Sequence, residues 1–116
     1  MEDIRYIDPG PRLSEATVVG GLVFLAGQIA DDPSLDIAGQ TRQVLAHVDE
    51  VLEKAGSDRS RIVSATIYLS DMVDYAGMND VWDAWVVPGR TAARATVRAG
   101  LFAPGYRVEI TVVAAT

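Results

Sequence analysis

The chain has 116 residues, 49% hydrophobic and 22% charged, with a formal net charge of −6 and no cysteine. This size and balance fit one globular domain, residues 1–116, and exclude disorder; the missing cysteines exclude disulfides, thiol nucleophiles and thiolate metal sites, and fit a reducing, cytoplasmic setting. The negative charge repels a phosphate backbone, the basic residues form no run, and no apolar stretch approaches a membrane span, so neither nucleic acid nor membrane is expected as a partner.

The first residues, Met1-Glu2-Asp3-Ile4-Arg5, are acidic and lack the apolar core of a secretory signal. Asp8-Pro9-Gly10-Pro11 then reads as an extended, turning lead-in. Ser14 to Val19 and Leu22 to Ala26 are strand-like, and the Gly20-Gly21 pair between them predicts a hairpin closed by a two-residue primed turn. Val19, Leu22 and Phe24 fall on one face, Val18, Val23 and Leu25 on the other. A hairpin apolar on both faces needs cover on both sides, and a second subunit is a natural cover. Gly27 ends the strand; it either relaxes the strand end or lets a ligand approach the backbone closely.

From Asp36 to Ala55 the period becomes helical, with Val44, Val48, Val51 and Ala55 on one stripe, Lys54 in the last turn and Gly56 beyond it. His47, the only histidine, lies at the stripe's edge with no second ligand for a metal. No serine sits in a nucleophile turn. Ser57 to Ser60 is a connection, and Ile62 to Leu69 alternates as a strand with Ile62, Ser64, Thr66 and Tyr68 on one side. A second helix runs from about Asp74 to Val86, with Asp71 or Asp74 as N-cap. Its stripe of Tyr75, Met78, Trp82 and Trp85 reads as core, and Asn79, one position off it, either reaches a cleft or is solvated. Pro88-Gly89 ends the helix.

Two strands close the chain. The first carries Arg94, Thr96 and Arg98 on one face; the second carries Arg107, Glu109 and Thr111 on one face. If they form an antiparallel hairpin folded near residues 101 and 102, Arg94 and Glu109 lie opposite each other with Thr96 beside them. The plainest meaning is a surface cross-strand ion pair, worth about 0.2–1 kcal/mol. The order β-β-α-β-α-β-β predicts an α+β fold, one mixed sheet with both helices on one face and the other face covered by further subunits.

Several stretches resemble one family. Leu22 to Gln28 resembles the V-x-x-S/A-G-Q strand end of RidA/YjgF proteins, and Gln40 to Leu45 their Q-T-x-x-x-L helix. Asp71, with Asn79 to Trp82, resembles L-x-D-x-x-x-F-x-x-x-N-x-x-Y/W; Ala93 to Val97 resembles P-A-R-S/A-x-V; Val108 to Ile110 resembles V-E-I. The subgroup resembled begins R-x-S-x-A (Arg12, Ser14, Ala16) and has a Trp82-to-Trp85 helix end. The resemblance implies a chorismate-mutase-like fold, a homotrimer with a pocket at each subunit interface, no metal or organic cofactor, and hydrolysis of enamine or imine intermediates to 2-keto acids and ammonia. On that basis Arg94 grips the substrate carboxylate bidentately and Glu109 handles the water or its proton, the two catalytic residues, while Gly27, Asn79 and Thr96 contact substrate. Leu13, Ala26 and Ala92 stand where the family carries Tyr, Ser or Thr, and Pro. The alternative is a non-catalytic trimer that binds small carboxylates or protects other proteins. A pericyclic mutase would want several cations on a dicarboxylate, and ribonuclease activity is disfavoured by the acidic charge and the isolated histidine.

Overall fold

The structure is a computed structural model that describes residues 3–116; Met1 and Glu2, the start of the acidic lead-in, lie outside the described residues. The strands are β1 (Arg5–Ile7), β2 (Ala16–Val19), β3 (Leu22–Leu25), β4 (Gln28–Ile29), β5 (Ile62–Leu69), β6 (Ala93–Arg98) and β7 (Val108–Ala115), and the helices are α1 (Ile37–Lys54) and α2 (Tyr75–Trp85). They form the α+β architecture expected, a mixed sheet in the order β1-β2-β3-β7-β5-β6, with β4 also beside β7. β1 and β4 were not foreseen; β1 comes from the lead-in and pairs antiparallel with β2.

The β2–β3 hairpin pairs Val19 with Leu22. Its turn needs left-handed backbone at both central positions, and Gly20 and Gly21 supply it with φ of 59° and 76°. Asp36 caps α1 by accepting from the Gly39 N–H at 2.8 Å. At the other end Gly56 takes φ 82°, and the Ser57 and Gly56 N–H groups reach back to the Leu52 and Glu53 carbonyls. Between these stops Val44, Leu45, Val48, Val51 and Leu52 are buried against the sheet, as the period predicts. Gln40, one turn earlier, is also fully buried (0% exposed). Its Nε2 donates toward the carbonyls of Pro33, Leu35 and Gly105 at 3.1, 3.0 and 2.8 Å, and its Oε1 accepts from the Arg107 N–H at 2.9 Å. One side chain thus fastens the loop before α1 to the segment that leads into β7.

The last two strands do not form a hairpin. β6 runs parallel to β5, with Arg94 beside Ala65, because α2 crosses over the sheet between them. β7 instead enters on the other side of β5, antiparallel to it and to β3. The α1 and α2 crossovers leave a central slot between β3/β4 and β5, and the chain's most regularly alternating strand fills it: Val108, Ile110, Val112 and Ala114 are all buried on the helix side. A bulge in β5 between Ile62 and Ser64 shifts the first residues, so Ile62 is buried with Ala65 and Val63 is exposed, the reverse of simple alternation.

The α2 stripe is buried at Met78 and Trp82 only; Tyr75 is 41% exposed and Trp85 is half-buried. The sheet face away from the helices leaves Tyr6, Leu22, Phe24 and Val97 exposed.

Candidate functional site

Arg94 stands on edge strand β6, on the helix-facing side of the sheet, because its parallel neighbour Ala65 faces the core. Three α2 residues spaced i, i+4 and i+7 reach it. Its Nη1 donates to Asn79 Oδ1 at 2.8 Å and its Nη2 to the Tyr75 hydroxyl at 3.2 Å. The guanidinium carbon lies 5.4 Å from the Trp82 ring centroid and 5.9 Å from that of Tyr75. All these neighbours are neutral. Among the described residues no carboxylate of the chain pairs with Arg94, whereas Arg59 and Arg107 are paired with Asp49 and Asp74. The cation is therefore oriented and stacked, but its charge is left for something else.

Thr96 lies two residues along on the same face, beside Ile67. Its Oγ1 is shielded from solvent and has no hydrogen-bond partner among the described residues. A hydroxyl left in that state costs about 1–3 kcal/mol.

Glu109 belongs to a different place. It sits on β7 beside Tyr68 and Ile29, on the face away from the helices. Between the pairs Phe24–Val113 and Gln28–Ile110, three residues, Leu25 to Gly27, oppose two, Thr111 and Val112, so the chain bulges at this point. The Glu109 carboxylate fills the space this opens: a Cβ built on Gly27 would fall 2.9 Å from the Glu109 carboxyl carbon. Gly27 and Glu109 share a cleft of about 970 Å³ with Leu13, Ile29, Lys54 and Phe102 among its walls. Lys54, on the α1 side, is held above its ordinary pKa by its hydrogen bond to Asp8 and that carboxylate's charge. His47, in the same cleft, bonds Asp31 at 2.9 Å.

The expected meeting of Arg94 and Glu109 within one chain is thus overturned. β5 lies between their strands, about 10 Å of sheet, and the two side chains leave on opposite faces. The pattern of alternation along each strand was right; the assumed hairpin put them on the same side. The structure brings together Arg94 with Asn79, and Glu109 with Gly27. Sequence reasoning missed Tyr75, taken as core because aromatic spacing alone does not separate a buried ring from one at a rim. The signal present was its i, i+4, i+7 relation to Asn79 and Trp82 and a hydroxyl that a buried aromatic would have to satisfy.

Comparison with known proteins places this geometry in context. The family profile described as Endoribonuclease L-PSP matches residues 4–116. A RutC family protein, YoaB of Escherichia coli K12, is 45% identical over 112 residues, covering 97% of each chain. The crystal structure of NMB1025 of Neisseria meningitidis, described as a YjgF family member, superposes with a TM-score of 0.95 at 50% identity, covering 97% of this chain and 94% of that one. A Rid family protein from Yersinia pestis superposes with a TM-score of 0.91 at 29% identity, covering 98% of this chain and all (100%) of that one.

Proposed function

Because the chain belongs to the Endoribonuclease L-PSP family, with RutC and YjgF proteins among its relatives, we propose that it hydrolyses reactive enamine and imine intermediates bearing a carboxylate. The observation that carries this reading is Arg94, held by neutral α2 groups and paired with no carboxylate of its own among the described residues. A 2-imino acid supplies that carboxylate and fixes its C2 carbon beside the guanidinium. Water adds to C2, forming the C–O bond. Glu109 accepts one proton of the water and passes it to the nitrogen, giving a carbinolamine at C2. The remaining hydroxyl proton then follows the same route to the nitrogen as the C2=O bond forms and the C–N bond breaks, giving a 2-keto acid and ammonia. An enamine enters the same path after a proton is added at C3. Asn79 holds Arg94, the bare backbone at Gly27 leaves room for Glu109, and Thr96 offers its unused hydroxyl to bound water or substrate.

With Arg94 and Glu109 on opposite faces, the reaction needs an interface that sets Arg94 of one subunit against Glu109 of the next. The exposed Tyr6, Leu22, Phe24 and Val97 on the open sheet face favour such an assembly, a homotrimer with one pocket at each contact. This makes a mixing experiment decisive. Arg94→Ala and Glu109→Ala chains, each inactive alone, are refolded together and assayed for loss of imino acid generated by an amino-acid oxidase and trapped with semicarbazide. Random assembly leaves about one interface in four with both groups, so roughly a quarter of wild-type activity is expected to return. No recovery would mean that both groups act within one chain, or not at all.

Gly27→Ala tests the Glu109 half separately. Gly27 does not use the left-handed region, so alanine is compatible with its backbone. The added methyl displaces the Glu109 carboxylate instead. Turnover is expected to drop about 10- to 100-fold, with the melting temperature almost unchanged. Full turnover would remove Glu109 from the chemistry.

An RNA substrate, which the family's name suggests, is disfavoured by the net charge of −6 and by the carboxylates already paired with Arg59 and Arg107.

A further inference from the structure

Tyr75 opens α2 at the edge of the Arg94 cradle; it is 41% exposed and carries a hydroxyl able to donate to an incoming ligand. Its oxygen accepts from Arg94 Nη2 at 3.2 Å. Among the described residues the phenol makes no other hydrogen bond, so its own proton is uncommitted. A phenol that accepts from a guanidinium is polarised, and its proton becomes the better donor for it. Arg94 has five N–H donors in a fixed plane; Asn79 and Tyr75 take one each, and the remainder suffice for a two-pronged carboxylate contact. An oxygen of that carboxylate then lies within reach of the Tyr75 proton.

We propose that Tyr75 is a further substrate-binding residue, whose hydroxyl donates to the carboxylate held by Arg94 and makes the pocket selective for that group. This rests on the proposed role of Arg94. Tyr75 contributes affinity before and during the reaction alike, since the carboxylate does not change as water adds to C2.

The test uses the assembled protein with 2-oxobutyrate, a 2-keto acid, as the probe, in titration calorimetry on wild type, Tyr75→Phe and Arg94→Ala. Phenylalanine keeps the ring against Arg94 and removes only the hydroxyl. Tyr75→Phe is expected to bind about tenfold more weakly than wild type and Arg94→Ala not measurably. In turnover of the corresponding imino acid, Tyr75→Phe is expected to raise KM about tenfold with kcat within about twofold. Wild-type affinity in Tyr75→Phe, with binding lost in Arg94→Ala, overturns the role of Tyr75 and leaves that of Arg94 standing. A kcat that falls as far as the affinity also overturns it, because Tyr75 would then act only by placing Arg94. Failure of wild type itself to bind 2-oxobutyrate removes both.

Discussion

Arg94→Ala is expected to lower kcat/KM for imino acids by about 10²- to 10³-fold while the chain stays folded. The first half follows from what the side chain does in the proposed reaction. A bidentate, charge-assisted contact to a carboxylate is worth several kcal/mol where water is excluded, and it also sets the distance from C2 to the attacking water. Free imines hydrolyse unaided, so the enzyme's contribution is placement plus charge, and alanine removes most of both. The second half follows from where the residue sits. Arg94 is on an edge strand, half-exposed, and its partners Asn79 and Tyr75 are not fully buried and can turn to solvent when it is gone. The loss of stability is expected to be about 1 kcal/mol, read as a small shift in melting temperature with an unchanged circular dichroism spectrum. Arg94→Lys separates charge from shape: lysine keeps the charge but loses the planar fork and the stacking over Trp82, so only partial rescue is expected. Turnover by Arg94→Ala at the wild-type rate above the spontaneous background would refute the carboxylate grip.

Gln40→Ala is expected to cost about 3–5 kcal/mol of stability, a fall in melting temperature of roughly 10–20 °C for a chain of this size. The side chain is fully buried and serves the carbonyls of Pro33, Leu35 and Gly105 and the N–H of Arg107. Alanine leaves all four without the partner they have, in a place too closed for water to replace it cheaply. Gln43 is the internal control. It lies on the same helix and accepts one hydrogen bond, from the Asp32 N–H, at an exposed site, so Gln43→Ala is expected to cost no more than about 1 kcal/mol. Equal melting temperatures for the two variants would mean that the Gln40 bonds are remade elsewhere. Because the Arg107 N–H lies just ahead of β7, Gln40→Ala is also expected to loosen Glu109.

These two glutamines show what a sequence can and cannot disclose. Periodicity located α1 to within a residue or two, since Val44, Val48 and Val51 repeat at helical spacing and Asp36 and Gly56 mark its ends. It could not single out Gln40, whose importance comes from four backbone groups in two segments far apart in the chain. The β2–β3 hairpin was legible because Gly20-Gly21 fixes both turn and register locally. β1 and β4, three and two residues long, are too short for any alternation to register. The pairing of β6 and β7 was misread because it is decided by the two helical crossovers and not by the residues between the strands. The same error placed Arg94 and Glu109 on one face. The motifs nominated both residues, but their relation depends on a sheet order that no local pattern contains, and the proposed site then depends on a neighbouring chain. Tyr75 was misassigned for a simpler reason: a helix stripe continues in sequence past the point where the helix leaves the core.

The position of β7 bears on how the protein comes into being. Leu22 on β3 pairs with Ala115, while Leu69 on β5 pairs with Val108. As the chain leaves the ribosome, β1 to β4 with α1, and then β5 and β6 with α2, must wait with raw edges facing an empty slot. Neither fragment can close its sheet until residues 108–115 have emerged. Contacts of such sequence separation form slowly, and unpaired edges recruit the wrong strands while they wait. The chain is therefore most vulnerable to aggregation during its own synthesis, in the interval before the strand that joins its two halves arrives.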